Sequence, residues 1–402
     1  MSVKLADRIA IIPSSPTLTL NNKAKEMAAA GINVINFGVG EPDFNTPEYI
    51  KEAAKDAVDK NFTRYTMNAG IIELRKAICE KFQRDNNLIY TPDDILVSPG
   101  AKASIVFGLM AVCNPGDKVL IPVPYWVSYP SEVMIAGGIP VYVNTTEENN
   151  FKITAQQIEE ATKQHKALKI LILNSPNNPT GAVYTRDELT QIAAACLKHD
   201  IFVLSDDIYE KLVYDGTEFV SIASISEEMK ANTLIINGVS KSYAMTGWRL
   251  GYMAGPTAVV KAAGKIQEHA CSNVNSITQK ATLAAYTADD GSVEKMRIEF
   301  EKRKHFLLSA LRDIPHVTCI DPKGAFYAVP NVSWYIKNNK IGIKNSNELS
   351  MYLLEKYHIA AVGGDSFGMD DIIRFSYANS MENLIEGVKR FKDGLRQLTA
   401  DS

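Results

Sequence analysis

Residues Thr233–Arg249 read T-L-I-I-N-G-V-S-K-S-Y-A-M-T-G-W-R. The first seven form an apolar run of the kind buried on both faces of a sheet, because hydrophobic alternation is absent. The run ends at Lys241, and Arg249 follows eight residues later. Where a buried strand ends, a cleft begins. An amine there can condense with an aldehyde, and the arginine can hold an anion carried by the same ligand. The plainer alternative is a helix-terminal lysine in a salt bridge, and Lys241 taken alone favours it.

The rest of the chain repeats this pattern. Ile95-Leu96-Val97 precedes Ser98-Pro99-Gly100-Ala101-Lys102, and Lys118–Ile121 precedes Pro122-Val123-Pro124-Tyr125-Trp126. Lys169–Leu173 precedes Asn174–Gly181, and Ile201–Leu204 precedes Ser205-Asp206-Asp207-Ile208-Tyr209. Helical patterns separate these runs, so the spacing predicts a mostly parallel α/β sheet. Ligands of such sheets bind beyond the carboxyl ends of the strands, and five strand ends carry polar or aromatic residues.

The alternation extends from about Glu48 to about Thr287. Asp290–Arg312 predicts a long charged helix with Met296, Ile298, Phe300, Phe306, Leu307 and Leu311 as its apolar positions. The remainder mixes short strands such as Gly324–Val329 with helices such as Ser346–Tyr357. Three parts are expected: residues 1–46 as an N-terminal arm and part of a small domain, 47–290 as a large cofactor-binding domain, and 291–402 as a linking helix and C-terminal α+β domain. Spacing leaves open which domain the arm packs on.

At 402 residues the chain is long enough for a large core. Lys and Arg total 43 against 46 Asp and Glu. That balance gives no reason to expect nucleic acid or an anionic membrane as partner. The five cysteines are scattered and odd in number, which suits free thiols in a reducing, cytoplasmic setting. No cluster has metal-ligand spacing.

The strand ends suggest one ligand. A lysine needs a depressed pKa to act as a nucleophile near neutral pH. Asp206, ending I-F-V-L-S-D, could pair with a pyridinium nitrogen; its plainer role is a helix N-cap. Tyr209 lies on the same turn. Gly100 opens a helix after a strand, where exposed N–H groups and the helix dipole favour an anion. Trp126 offers an indole face to a planar ring, and Asn178 an amide to a phenolate oxygen; each has an ordinary structural alternative. Arg374, inside D-I-I-R-F-S-Y-A, is suited to gripping a carboxylate through paired hydrogen bonds. Pyridoxal 5′-phosphate carries the aldehyde, ring nitrogen, phenolate and phosphate that these groups would match.

At this point the chain resembles the class I aminotransferases, fold type I of the pyridoxal phosphate enzymes, and within them the prokaryotic-type aspartate aminotransferases. The motifs run in order over nearly the whole chain: P-S-S-P-T-L, G-V-G-E-P-D-F-N-T-P, R-Y-T-M-N-A-G, P-Y-W-V-S-Y-P, N-S-P-N-N-P-T-G-A, S-D-D-I-Y, S-K-S-Y-A-M-T-G-W-R-L-G-Y and R-F-S-Y-A. The resemblance implies that Lys241 holds the cofactor covalently and shuttles the proton. Asp206 would pair with the ring nitrogen, Tyr209 and Asn178 with the ring oxygen, and Trp126 would stack on the ring. Gly100, Ala101, Ser240 and Arg249 would surround the phosphate, with Tyr65 reaching it from a second subunit of a homodimer. Gly40 and Arg374, beside Trp126 and Asn178, would bind the substrate's α-carboxylate end. Lys102, with Ser15 and Thr17, would read a side-chain carboxylate. The chain departs from the usual pattern at Asp207, Ile72 and Gly363, and none of these removes a catalytic group.

The resemblance implies transfer of an amino group between L-aspartate and 2-oxoglutarate. Aminotransferases for aromatic amino acids, prephenate or alanine share most of these motifs and stay as alternatives. Gly238-Val239-Ser240-Lys241-Ser242 nearly matches a hydrolase nucleophile elbow, but Ser242 takes the place of the last glycine. A non-catalytic regulator would usually add a basic DNA-binding segment, and none is seen.

Overall fold

The protein is described here by a computed structural model, covering residues 3–6, 9, 10, 12 and 16–400. In chain order the strands are β1 (Ile35–Asn36), β2 (Ile95–Ser98), β3 (Lys118–Val123), β4 (Ile139–Asn144), β5 (Leu168–Asn174), β6 (Phe202–Asp206), β7 (Thr233–Gly238), β8 (Gly251–Ala254), β9 (Tyr327–Ala328), β10 (Ile359–Ala360), β11 (Val362–Gly363) and β12 (Ile373–Ser376). The main sheet has seven strands in the order β2-β8-β7-β6-β5-β3-β4. Neighbours from β4 to β7 pair parallel. β8 runs antiparallel to both β2 and β7.

Five of these strands are the apolar runs read from the sequence, and every residue of β2 and β7 is buried. The sequence reading did not single out β4 or β8. β4 is the partly exposed edge strand, with an isoleucine and a tyrosine about half exposed. β8 is fully buried, but its sequence G-Y-M-A holds no Ile, Val or Leu. Both weaken the signal that a buried run normally gives.

Thr154 and Thr185 cap the helices Ala155–Gln164 and Arg186–Lys198 through capping boxes with Gln157 and Glu188. Three apolar clusters pack helices against the sheet. A further core joins the helix Ser292–Arg312 to β9, β12 and the helices Ser346–Tyr357 and Met381–Thr399. The long helix begins two residues later than expected. Met296, Phe300, Leu307 and Leu311 are buried, whereas Ile298 is 52% exposed. A period of 3.6 residues puts position 298 opposite the stripe of 296, 300, 307 and 311.

The described part of the arm packs on the C-terminal region. Ile35 and Phe37 enter its core, β1 pairs with β10, and Leu20 and Ala24 meet Leu354 and Ala360. Ile208 and Tyr209 belong to that core as well. The turn after β6 therefore lies where the sheet's carboxyl edge meets the C-terminal region. No helix among the described residues is long and apolar enough to cross a membrane.

Candidate active site

Lys241 stands three residues beyond the end of β7. Its Nζ donates to the Gly40 carbonyl and lies 5.8 Å from the centre of the Tyr209 ring and 5.9 Å from that of Phe326. Burial lowers the amine to about 8, opposed by the charge of Glu41 and assisted by Arg374 and Arg249. Arg249, the cation expected from the sequence, thus acts beside a second one. An appreciable share of Lys241 is then neutral near pH 7.5, as a nucleophilic amine requires.

Asp206 ends β6 and is buried. No helix follows it, so the N-cap alternative does not apply; the chain continues as turns. One carboxylate oxygen accepts from Tyr129 Oη at 2.7 Å and the other from the Ile208 amide at 3.3 Å. Burial raises its pKa to about 6, against those two hydrogen bonds and the charge of Lys241. Its hydrogen-bond partners are neutral, so it can take up a cationic N–H.

Three residues from Tyr129 on the same helix, Tyr129–Ile135, sits Glu132. It is 3% exposed and neither carboxylate oxygen has a hydrogen-bond partner. Burial pushes it to about 8, with Lys102 opposing and Asp206 adding. Asp207, buried beside Asp206, is likewise raised to about 8 by burial. Unfolded, such carboxyls lose their protons near pH 4. Between about pH 4 and 8 the native state thus binds more protons, and stability falls as pH rises through that window. Glu132→Gln removes one share of this loss, roughly 3–5 kcal/mol. The thermal midpoint of the cofactor-free protein should therefore drop less between pH 5 and 8 in the variant than in the parent. Parallel pH profiles would show that Glu132 is not held protonated.

Arg374, on β12, is 5% exposed. Nη1 donates to Asn178 Oδ1 at 3.0 Å and Nη2 to the Gly38 carbonyl at 2.8 Å. Nε has no hydrogen-bond partner among the described residues. The guanidinium lies 4.4 Å from the centre of the Tyr327 ring and 5.1 Å from that of Phe367. Burial lowers its pKa. A buried guanidinium held by neutral acceptors leaves its charge available to an incoming carboxylate. Asn178 is set in turn by its backbone N–H, which donates to Asn174 Oδ1 at 2.8 Å. Tyr209 Oη lies 2.9 Å from Tyr327 Oη. A Cβ added to Gly40 would come within 3.4 Å of Tyr327 Oη, so Lys241, Gly40, Tyr327, Tyr209, Arg374 and Asn178 form one contact chain.

Gly100 has φ +92° and precedes the helix Ala101–Val112. A Cβ there would lie 2.5 Å from Arg249 Nη2. Glycine is needed both for the positive φ and for the approach of the guanidinium. Gly251 closes the same corner, since a Cβ on it would lie 2.2 Å from the Ala101 amide nitrogen. The helix N-terminus and Arg249 together make an anion cradle, and buried Ser240 lies next to Lys241. Trp126 meets Tyr129 edge-on at 5.3 Å. Lys102 is exposed, with Nζ 4.9 Å from the centre of the Trp126 ring. Tyr65 is 93% exposed. Ser15 lies outside the described residues, as does the side chain of Thr17.

The structure thus links Lys241, Asp206, Tyr209, Asn178, Arg374, Gly40, Gly100, Ala101, Ser240, Arg249, Trp126 and Lys102 through one series of contacts and short-range charges. Sequence reasoning passed over Tyr129, Glu132, Tyr327 and Gly38. Tyr129 falls inside a motif already quoted, P-Y-W-V-S-Y-P, and is three residues past Trp126. Gly38 likewise falls inside a quoted motif, G-V-G-E-P-D-F-N-T-P, whereas Tyr327 carried no local signal; both act through contacts more than a hundred residues away. Among the described residues no cluster of His, Cys, Asp and Glu could hold a metal ion.

Residues 32–391 match the family described as aminotransferase class I and II. An aspartate aminotransferase of Bacillus sp. (strain YM-2) is 46% identical over 390 residues, covering 97% of this chain and 98% of that protein. An aspartate/prephenate aminotransferase of Nitrosomonas europaea is 44% identical, covering 96% and 98%. The crystal structure of the Rhizobium meliloti aspartate aminotransferase superposes with a TM-score of 0.94 at 39% identity, over 99% of this chain and all of that one. The Thermus thermophilus aspartate aminotransferase with maleate gives 0.91 at 37% identity, over 98% and 100%. With the parallel sheet, the lysine after β7 and the family match across nearly its whole length, the chain belongs to the class I and II aminotransferases.

Proposed function

We propose that the protein is an aspartate aminotransferase that binds pyridoxal 5′-phosphate at Lys241 and moves an amino group between L-aspartate and 2-oxoglutarate. The observation that carries this reading is one set of contacts, Lys241 Nζ to Gly40, Tyr209 to Tyr327 and Arg374 to Asn178, beside a buried Asp206 carboxylate whose hydrogen-bond partners are both neutral. The residues fit that cofactor. The Gly100–Arg249 corner suits its phosphate, Asp206 its ring nitrogen, Trp126 a ring face, and Tyr209 with Asn178 its ring oxygen. Bound there, the cofactor supplies an aldehyde for amine exchange and an electron-withdrawing ring.

The chain's own groups do the rest. Arg374 and Gly40 receive the α-carboxylate and so aim the Cα–H bond. Lys241 Nζ, near its pKa at neutral pH, takes the Cα proton and returns it as general base and acid. Lys102, exposed over the Trp126 ring, would meet a side-chain carboxylate. The reading further places residues 47–290 in a cofactor-holding domain, with 1–46 as arm and part of a small domain that 291–402 completes. It makes the exposed Tyr65 a contribution to a second subunit's phosphate site in a homodimer.

Amino donor and acceptor use one site in turn, so double-reciprocal initial-rate plots should be parallel; intersecting lines would exclude this scheme. Lys102→Ala should lower kcat/KM for aspartate about 30-fold or more while alanine and phenylalanine change less than about threefold, in line with loss of one charge-assisted contact. Equal losses for all donors would remove Lys102 from side-chain recognition. A broader donor range is the second reading. The Nitrosomonas relative, named for both aspartate and prephenate, favours it, and a donor panel separates the two.

A further inference from the structure

The segment Ser205–Glu210, S-D-D-I-Y-E, makes contacts on two sides. Asp206 and Tyr209 belong to the site described above. Asp207 and Glu210 contact other groups. Asp207 accepts from Ser205 Oγ at 2.6 Å on one oxygen and from Ser221 Oγ at 2.8 Å on the other. The Glu210 carboxylate pairs with the Lys81 ammonium and accepts from Asn86 Nδ2 at 3.1 Å. Lys81 donates to Asn86 Oδ1 at 2.8 Å, which closes a three-membered ring of contacts. Lys81 is 1% exposed and Glu210 is 6% exposed. Lys81 and Asn86 both stand on the helix Ile72–Asn86. Nearer the surface, Lys211 pairs with Asp85 of that helix at 2.8 Å.

Stability does not account for this arrangement. A buried ion pair commonly adds nothing over a well-packed apolar pair of the same volume, and its best-attested benefit is to fix register. Register is what this turn lacks. Residues 207–211 lie in no helix or strand, yet they carry Tyr209 and directly follow Asp206. A shift of about 1 Å in such groups can cost about a hundredfold in rate.

We propose that Lys81, Asn86, Asp207 and Glu210 are positioning residues for the transamination, holding from behind the turn that presents Asp206 and Tyr209. None of the four is assigned a contact with substrate or cofactor. The proposal rests on the reading of Asp206 and Tyr209 given above.

The test uses the cofactor-loaded enzyme carrying Lys81→Met with Glu210→Leu, which removes both charges together and leaves neither buried alone. The expected result is a visible circular dichroism band reduced by about half or more and kcat lowered about 10- to 100-fold. KM for aspartate should stay within about twofold, and the thermal midpoint within about five degrees of the parent. Parent-like circular dichroism and kcat overturn the proposal. Should that variant not fold, Asn86→Ala and Ser221→Ala each remove one anchor without unpairing the ions. A weakened visible band in both supports the proposal, and an unchanged band in both overturns it. The two readings fail differently. If the transaminase assignment is wrong, borohydride leaves Lys241 of the parent unlabelled. If only the positioning role is wrong, Lys241 is labelled and the band does not move.

Discussion

Lys241→Ala should cut turnover by about four orders of magnitude and leave borohydride-treated protein without a label at position 241. General acid–base catalysis by one side chain contributes about 10²–10⁴-fold, and Lys241 also provides the covalent tether, so the loss belongs at the top of that range or beyond. Among the described residues no other amine is similarly placed. Lys102 is exposed over the Trp126 ring, and Lys81 and Lys304 are themselves buried and held in ion pairs. The fold should tolerate the change, because the Nζ contact it removes is to one carbonyl, that of Gly40. Visible absorbance typical of a lysine-bound aldehyde should vanish while the far-UV circular dichroism stays. A variant that keeps both the absorbance and more than about 1% of the turnover would remove Lys241 from the centre of the site.

Asp206→Asn is expected to separate catalysis from stability. The asparagine can still accept the Tyr129 hydroxyl, now at 2.7 Å from the carboxylate, so the local geometry has a route to survive. What disappears is the negative charge that would keep the ring nitrogen of the bound cofactor protonated. Charge stabilisation by a group of this kind is worth about 10²–10³ in kcat, and KM should move much less. Stability should change the other way. Burial raises Asp206 to about 6, so at pH 8 the folded parent carries a carboxylate that would rather be solvated. Removing it should leave the thermal midpoint of the cofactor-free protein at pH 8 equal or higher. A fall in both midpoint and activity would mean that Asp206 is a structural anchor, and a kcat within tenfold of the parent would mean its charge is not used.

Much of the architecture is legible in local sequence. T-L-I-I-N-G, I-F-V-L-S and K-I-L-I-L are continuous apolar runs, and each is a buried strand with a polar residue at its exit. The helix ending at Arg312 follows from its apolar period, and the helix Ser346–Tyr357 carries an Asn345 side-chain cap. Edge strand β4 escapes this reading through its exposure, and β8 because G-Y-M-A contains no Ile, Val or Leu although all four residues are buried. The same holds for site residues. Lys241, Asp206 and Arg374 stand out because a charged group in or at the end of an apolar strand is unusual. Tyr327 and Gly38 do not, since a tyrosine and a glycine are ordinary in any sequence. Glu132 carries no mark in the sequence, and only burial without a partner sets it apart.

What the amino-acid order determined by itself is the class of chemistry: an amine, a carboxylate and a guanidinium at strand ends, spaced so that an α/β sheet delivers them to one edge. Strand periodicity and burial are local enough to do this, because each run needs only its own side chains to specify two buried faces. What only the folded chain decided is the electrical state of these groups and who holds them. The Lys241 amine is lowered by burial and by Arg374, 133 positions away in sequence. Asp206 is steadied by Tyr129, and Arg374 is fixed by Asn178 and Gly38. Desolvation and short-range charge depend on distance in space, which the order of residues along a chain does not state.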